Sequence, residues 1–232
     1  MKRFYKQADV TELDGGWGVA LDGKPIKTPL KTVFAAPTRA MADAAAAEWN
    51  AQAEVVNPHA MPVTKAVNSA IDRTGPEYDA VVEMVAAYGG SDLLCYRAEA
   101  PEGLIARQAE AWDPLLAWAE EAFGARLLIT KGVMHALQPE DGQAALADAV
   151  RAHDPFELTA LYDLVALSGS LVIGLAISKG RLAVEDGWAL SRVDETWQQE
   201  FWGVDDEAAA VAARKAGEFA DAARFLTLAR AT

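Results

Sequence analysis

Between Leu161 and Ile177 the sequence reads LYDLVALSGSLVIGLAI, 17 residues in which apolar side chains run almost without a break. Such a run belongs either in lipid or at the centre of a protein core. Its length is at the lower limit for a helical span, about 17 residues, and Asp163 and the Ser168-Gly169-Ser170 break both oppose spanning a bilayer. The expectation is a buried hairpin of helices with no membrane insertion, and the rest of the chain must pack around it.

The segments that follow and precede this run are mostly helical in pattern. From Glu185 to Gly203 the chain reads EDGWALSRVDETWQQEFWG, and on one helix Leu190, Val193, Trp197 and Phe201 share a stripe, flanked or opposed by Asp194, Glu195, Gln198 and Trp202. Gly203, followed by Asp205, Asp206 and Glu207, reads as a helix stop and the acidic start of a final helix over about 206–229, whose stripe is Phe219, Ala222, Ala223, Leu226 and Ala229. Upstream, helices are expected over 139–152, 155–167 and 169–179, and over 101–123 with Pro114 kinking or dividing it near Asp113. Thr74-Gly75-Pro76-Glu77 has the spacing of a capping box, opening a helix to about Tyr88. The segment 91–97 is open between strand and helix, and 126–130 suits a short strand.

The N-terminal part has a different pattern. Arg3 to Lys6, Trp17 to Leu21, Pro25 to Thr28 and Thr32 to Ala35 read as short strands, divided by Asp14-Gly15-Gly16 and Asp22-Gly23. A helix capped by Thr38 then runs to about Gln52, and NPHAMP at Asn57 to Pro62 breaks regular structure. The fold class expected is α+β: a small antiparallel β lobe with one helix over 1–58 and a larger helical domain over 59–232. A chain of 232 residues buries roughly 70% of its extended surface, enough for a core without disulfide or metal. Its one cysteine, Cys95, fits a reducing compartment, and the basic start MKRFYK lacks an apolar run behind it, so a bacterial cytoplasmic protein is expected.

Charge and motif composition narrow the function. A net charge of -13 disfavours nucleic acid and anionic membranes, although the residues through Lys31 carry six basic and four acidic side chains. No phosphate loop ends in Lys-Ser or Lys-Thr, and His59, His135 and His153 lack the spacings of zinc or di-iron helices, so neither cofactor nor metal is expected. Asp194 and Glu195 are adjacent and diverge by about 100 degrees on a helix, so they do not form a paired acid and base. Cys95 reads as a small core residue, and Ser168 and Ser170 lack a nucleophile elbow. What remains is surface for binding: seven tryptophans exceed the needs of a helical bundle. Trp112, Trp188 and Trp197 suit the core, whereas Trp49 and Trp202, at helix ends beside acids, suit either the core or a partner.

Six blocks in order carry a resemblance: GGWGVALDGKPIKTP at Gly15 to Pro29, AEWNAQ at Ala47 to Gln52, MPVTKAVNSAID at Met61 to Asp72, DLLCYRA at Asp92 to Ala98, RQAEAWDPLLAW at Arg107 to Trp118, and LSRVDETWQQEFWG at Leu190 to Gly203. Together they resemble the ATP synthase assembly-chaperone family that acts on the alpha subunit of the catalytic head. The resemblance implies a β lobe on a helical domain, no enzymatic turnover, and transient binding by a monomer to the unassembled alpha subunit. Relatives in eukaryotes act in the mitochondrial matrix. It places the family's acidic position on Asp194 or Glu195, with Glu195 favoured because it precedes Gln198 and Trp202-Gly203, and the tryptophan of the Glu-Trp block on Trp49. One departure is Val204, which separates Trp202-Gly203 from Asp205 and Asp206 where relatives carry the acid directly. The expected partner-binding residues are Glu195, Asp194, Trp49, Trp202 and Gln198. Two competing classes are an enzyme that uses Asp72, Asp194 or Glu195 in a cleft between the lobes, and a scaffold of another acidic complex.

Overall fold

Two tight turns organise the first residues of the chain. Strands β1 (Ala8–Leu13) and β2 (Gly16–Leu21) pair antiparallel from Ala8 opposite Leu21 to Leu13 opposite Gly16, leaving the two-residue loop Asp14-Gly15. The next loop, Asp22-Gly23, has φ of +47° and +80° and leads into β3 (Lys24–Pro25). Positive φ at both central positions gives a turn whose twist matches the strands, and Asp-Gly tolerates it. The Asp22 carboxylate also accepts the backbone N–H groups of Gln7 and Lys6, which hold it below the usual carboxylate range. The structure, a computed structural model, describes residues 2–132 and 134–232.

The first strand therefore lies five residues later than the one expected at Arg3 to Lys6. Arg3 is the cause: its guanidinium donates to the carbonyls of Tyr5 and Lys6, which a strand ladder would need, and to that of Gln52. The expected strands at Pro25 to Thr28 and Thr32 to Ala35 shrink to β3 and two isolated bridges, Lys27 with Val33 and Trp17 with Ala36. A tight turn interrupts them, in which Thr28 N–H donates to Thr32 O, Lys31 N–H donates to Thr28 O, and Lys31 sits at φ +72°.

Helix α1 (Arg39–Asn50) begins where Thr38 Oγ1 accepts the Met41 N–H at 3.1 Å. Met41, Ala42, Ala45 and Ala46 form its buried stripe, and α1 packs on β1 and β2. Near its end, Glu48 accepts from Val63 N, Thr64 N and Thr64 Oγ1 at 2.7–2.8 Å, capping α2 (Pro62–Ser69), whose own cap position, Met61, offers no acceptor. The Asn57–Pro62 run lies between them as a 3-10 turn at Pro58–Ala60. After α2 a π-helical turn, Ala70–Thr74, precedes α3 (Tyr78–Ala86) and a 3-10 turn, Ala87–Gly90. The expected capping box does not form, because Thr74 is buried within the π turn and its hydroxyl accepts from Thr159 at 2.7 Å.

A 3-10 turn at Leu93–Cys95 leads into β4 (Tyr96–Arg97), which pairs in parallel with β5 (Thr130–Lys131). Between them α4 (Glu102–Phe123) runs unbroken through Pro114, so of the kink or division expected there the division does not occur. Proline removes one N–H, and the buried Trp112, Leu115, Leu116 and Ala119 on both sides of it keep the helix seated. The chain continues through α5 (Glu140–Arg151), α6 (Pro155–Ser168) and α7 (Leu171–Ser178). Every residue of α7 is buried, as are Leu161, Leu164 and Val165 of α6, so the apolar run forms a buried hairpin. Among the described residues no helix is long and apolar enough to cross a membrane.

The stretch read as one helix from Glu185 to Gly203 is two: α8 (Val184–Leu190) and α9 (Val193–Trp202). Continuing the helix would require Leu190 O to accept from Asp194 N, but the indole N–H of Trp112 takes that carbonyl at 2.9 Å. Ser191 Oγ also donates to Trp188 O at 2.7 Å. The new helix axis keeps Val193 buried but turns Phe201 out to solvent, 64% exposed, against the expectation that it joins the core stripe. Gly203 (φ +84°) ends α9, Asp205 Oδ1 accepts from Ala208 N, and α10 (Asp206–Ala229) buries Phe219, Ala222, Ala223 and Leu226.

The chain is α+β, a small N-terminal antiparallel sheet followed by a mostly helical remainder. Its residues group into two compact units, one of Met1–Tyr78, Asp154–Ala160 and Arg224–Thr232, the other of Asp79–His153 and Leu161–Ala223.

Candidate functional site

Four of the five expected binding residues lie on or beside α9 in the second unit. The inner side of this helix is tied to α4. Gln108, itself buried, donates its amide N–H to Asp194 Oδ1 at 2.6 Å. Arg107 makes a two-pronged bond to Glu200, 2.8 and 2.9 Å, while its guanidinium lies 4.7 Å from the centre of the Trp197 ring. The Arg107 hydrogen bonds hold the Glu200 carboxyl below its ordinary range, and Glu200 raises Arg107. Gly103 lies under the same ring, where an added Cβ would meet Trp197 at 2.7 Å.

The outer side is open. Glu195 pairs with Arg192 at 2.7 Å, one turn away on a half-exposed face. Gln198 is exposed, and beyond it Phe201, Trp202 and Val204 are exposed by 64%, 79% and 63%. Three large apolar side chains within four residues, followed at once by Asp205, Asp206 and Glu207, make an apolar lip edged by acid. Solvent-facing aromatic surface of this kind is commonly a binding surface. Phe201 and Val204 were not among the expected site residues, because the single-helix reading placed Phe201 in the core, and Val204 stood out only as a departure separating Trp202-Gly203 from Asp205 and Asp206.

The structure separates Asp194 from Glu195: one carboxylate faces Gln108 and the other Arg192. They do not form an acid and base pair. Asp72 is also engaged, accepting from Thr28 Oγ1 at 2.6 Å and Leu30 N at 2.9 Å. Cys95 is buried, and burial pushes its thiol up to about 12, far from a thiolate at neutral pH. Among the described residues no group of three or more His, Cys, Asp or Glu is placed to hold a metal.

Trp49 lies in the first unit, at the end of α1. Tyr5 stacks edge-on at 5.6 Å and donates its hydroxyl to Trp49 O at 2.6 Å. The indole Nε1–H is buried with no acceptor. Trp49 forms part of the wall of a groove of about 900 Å³, together with Val56, Met61, Lys65, Asp72 and Arg73. Of the groove's cations, Lys27 and Lys31 belong to the basic residues counted through Lys31, whereas Lys65 and Arg73 come from a later segment that only folding brings to them.

Comparison with known proteins agrees with this architecture. The crystal structure of Atp12 from Paracoccus denitrificans is 47% identical, with a TM-score of 0.95 over 99% of this chain and 98% of that one, and a structure of that protein with an Asp-to-Lys substitution superposes equally well. A protein of Agrobacterium tumefaciens is 45% identical, with a TM-score of 0.94 over 97% of this chain and 85% of that one. Protein atp12, mitochondrial, from Schizosaccharomyces pombe is 25% identical over 214 residues, 87% of this chain and 74% of the relative. The family described as ATP12 chaperone protein matches residues 2–120, and the chain belongs to that family.

Proposed function

We propose that this chain is an assembly chaperone of the F-type ATP synthase, acting in a bacterial cytoplasm, that holds the unassembled alpha subunit and covers its beta-facing surface until beta replaces it. The observation that carries the reading is the apolar lip of Phe201, Trp202 and Val204, left open to solvent in a member of a chaperone family. A free alpha subunit presents surface that should face its neighbours, and such surface self-associates unless covered. Trp202 is the anchor: an aromatic buried at the centre of an interface contributes about 2 kcal/mol or more. Glu195 and Gln198, on the outer side of α9, supply polar contacts around it, and Asp194 acts at one remove by fixing α9 to α4. Trp49 lines a groove on the first unit.

Release follows from competition. The beta subunit offers alpha a larger and more complementary interface, so it displaces a chaperone that grips by a small patch. The exchange needs neither nucleotide nor bond chemistry. Co-purification with separately expressed alpha and beta subunits tests the reading: capture of alpha and not beta is expected, and capture of neither, or of both alike, would refute it.

A further inference from the structure

The groove beside Trp49 is a cationic feature on an acidic protein. Lys27, Lys31, Lys65 and Arg73 line it, against the two carboxylates of Asp72 and Glu77, in a chain whose net charge is -13. None of the four cations takes part in an ion pair among the described residues. The α2 N-terminus adds no attraction for an anion because Glu48 already occupies it, so the field in the groove comes from these side chains. Part of the wall is apolar, formed by Trp49, Val56, Met61 and the exposed Leu30. Trp49 contributes its ring to this wall, since its indole N–H is buried.

Two local structures hold the groove in shape. Asp72, on the π turn, accepts from Thr28 Oγ1 and Leu30 N and so fixes the 28–32 turn against α2. Glu48, at the other end, fixes the start of α2 beside Trp49. The groove is therefore formed before any ligand arrives.

We propose that this groove binds an extended acidic polypeptide segment: aliphatic side chains lie on the Trp49, Val56 and Met61 wall, and carboxylates meet Lys65 and Arg73. A simple anion would use the cations and leave the apolar wall wet, whereas a peptide with both kinds of side chain uses both surfaces. The assignment deepens the chaperone reading, and identifying the segment with part of a client rests on that reading.

The test is fluorescence anisotropy with a short fluorescein-labelled peptide of leucine and glutamate. Its leucine/lysine and glycine/glutamate counterparts serve as controls, and inorganic phosphate and ADP as competitors. The leucine/glutamate peptide alone should bind, less tightly as salt rises, and combining Lys65→Glu with Arg73→Glu, both at exposed positions, should weaken it at least about tenfold. Absence of binding, equal binding of the lysine or glycine peptide, displacement by phosphate or ADP, or an unaffected double variant would each overturn the proposal. Capture of the alpha subunit by wild-type protein is measured alongside. Capture without peptide binding would sink the groove and leave the chaperone reading standing. Peptide binding without capture would do the reverse.

Discussion

Gln108 bridges Asp194 on α9 to the backbone ahead of α4: its Nε2–H donates to Asp194 Oδ1 at 2.6 Å while its Oε1 accepts the Ala98 N–H at 2.8 Å. The acid beside Glu195 is thus a strut with a buried partner. Asp194→Ala strands the Gln108 N–H in the interior and should cost about 1–3 kcal/mol, with Asp194→Asn recovering part of it. Urea unfolding measures this, and an unchanged midpoint would mean that Gln108 finds another acceptor.

The outer residues should behave in the opposite way. Trp202→Ala removes a side chain that is 79% exposed, so stability should stay within about 0.5 kcal/mol, while affinity for the alpha subunit should fall roughly thirtyfold, the equivalent of about 2 kcal/mol. Glu195→Lys breaks only a half-exposed pair with Arg192, worth at most about 1 kcal/mol, and should leave the circular dichroism spectrum intact while weakening capture. Unfolding of the Glu195 variant would make that residue structural instead.

Asp92 has no solvent exposure, and burial raises its carboxyl above the ordinary 3.8 even though the N–H groups of Val172 and Leu94 pull it down. Because the folded state then binds the proton more tightly than the unfolded chain, the contribution is fully present below 3.8 and is lost as pH rises through the folded value. Thermal melts over this range should show wild type losing stability relative to Asp92→Asn as pH rises. A gap that widened in favour of wild type would reverse the sign of the shift.

Cys95, with its thiol pushed up to about 12, should resist iodoacetamide at neutral pH in the native protein and react once denatured. Mass spectrometry of both samples decides it, and rapid native alkylation would place Cys95 in an open environment.

The elements legible in sequence are those whose determinants are local. Asp22-Gly23 makes its turn, Thr38 caps α1, and the Phe219, Ala222, Ala223 and Leu226 stripe is buried, because each depends on neighbours a few residues away. The failures are long-range. The break between α8 and α9 depends on the Trp112 indole, 78 residues from Leu190, and the lost capping box on Thr159, 85 residues from Thr74. The site follows the same division. Trp202, beside a terminating glycine and acids, stood out as a possible contact, whereas the exposure of Phe201 follows from the helix break, and the cationic groove requires Thr28 to meet Asp72 across 44 residues.

On the proposed function, beta takes alpha from this chaperone by replacing it on one surface. A complex of alpha with this chain, immobilised through alpha and washed free of nucleotide, should release the chaperone as purified beta is added, in proportion to beta bound. Retention of the chaperone while beta binds would rule out this exchange, because the two would then occupy different faces of alpha.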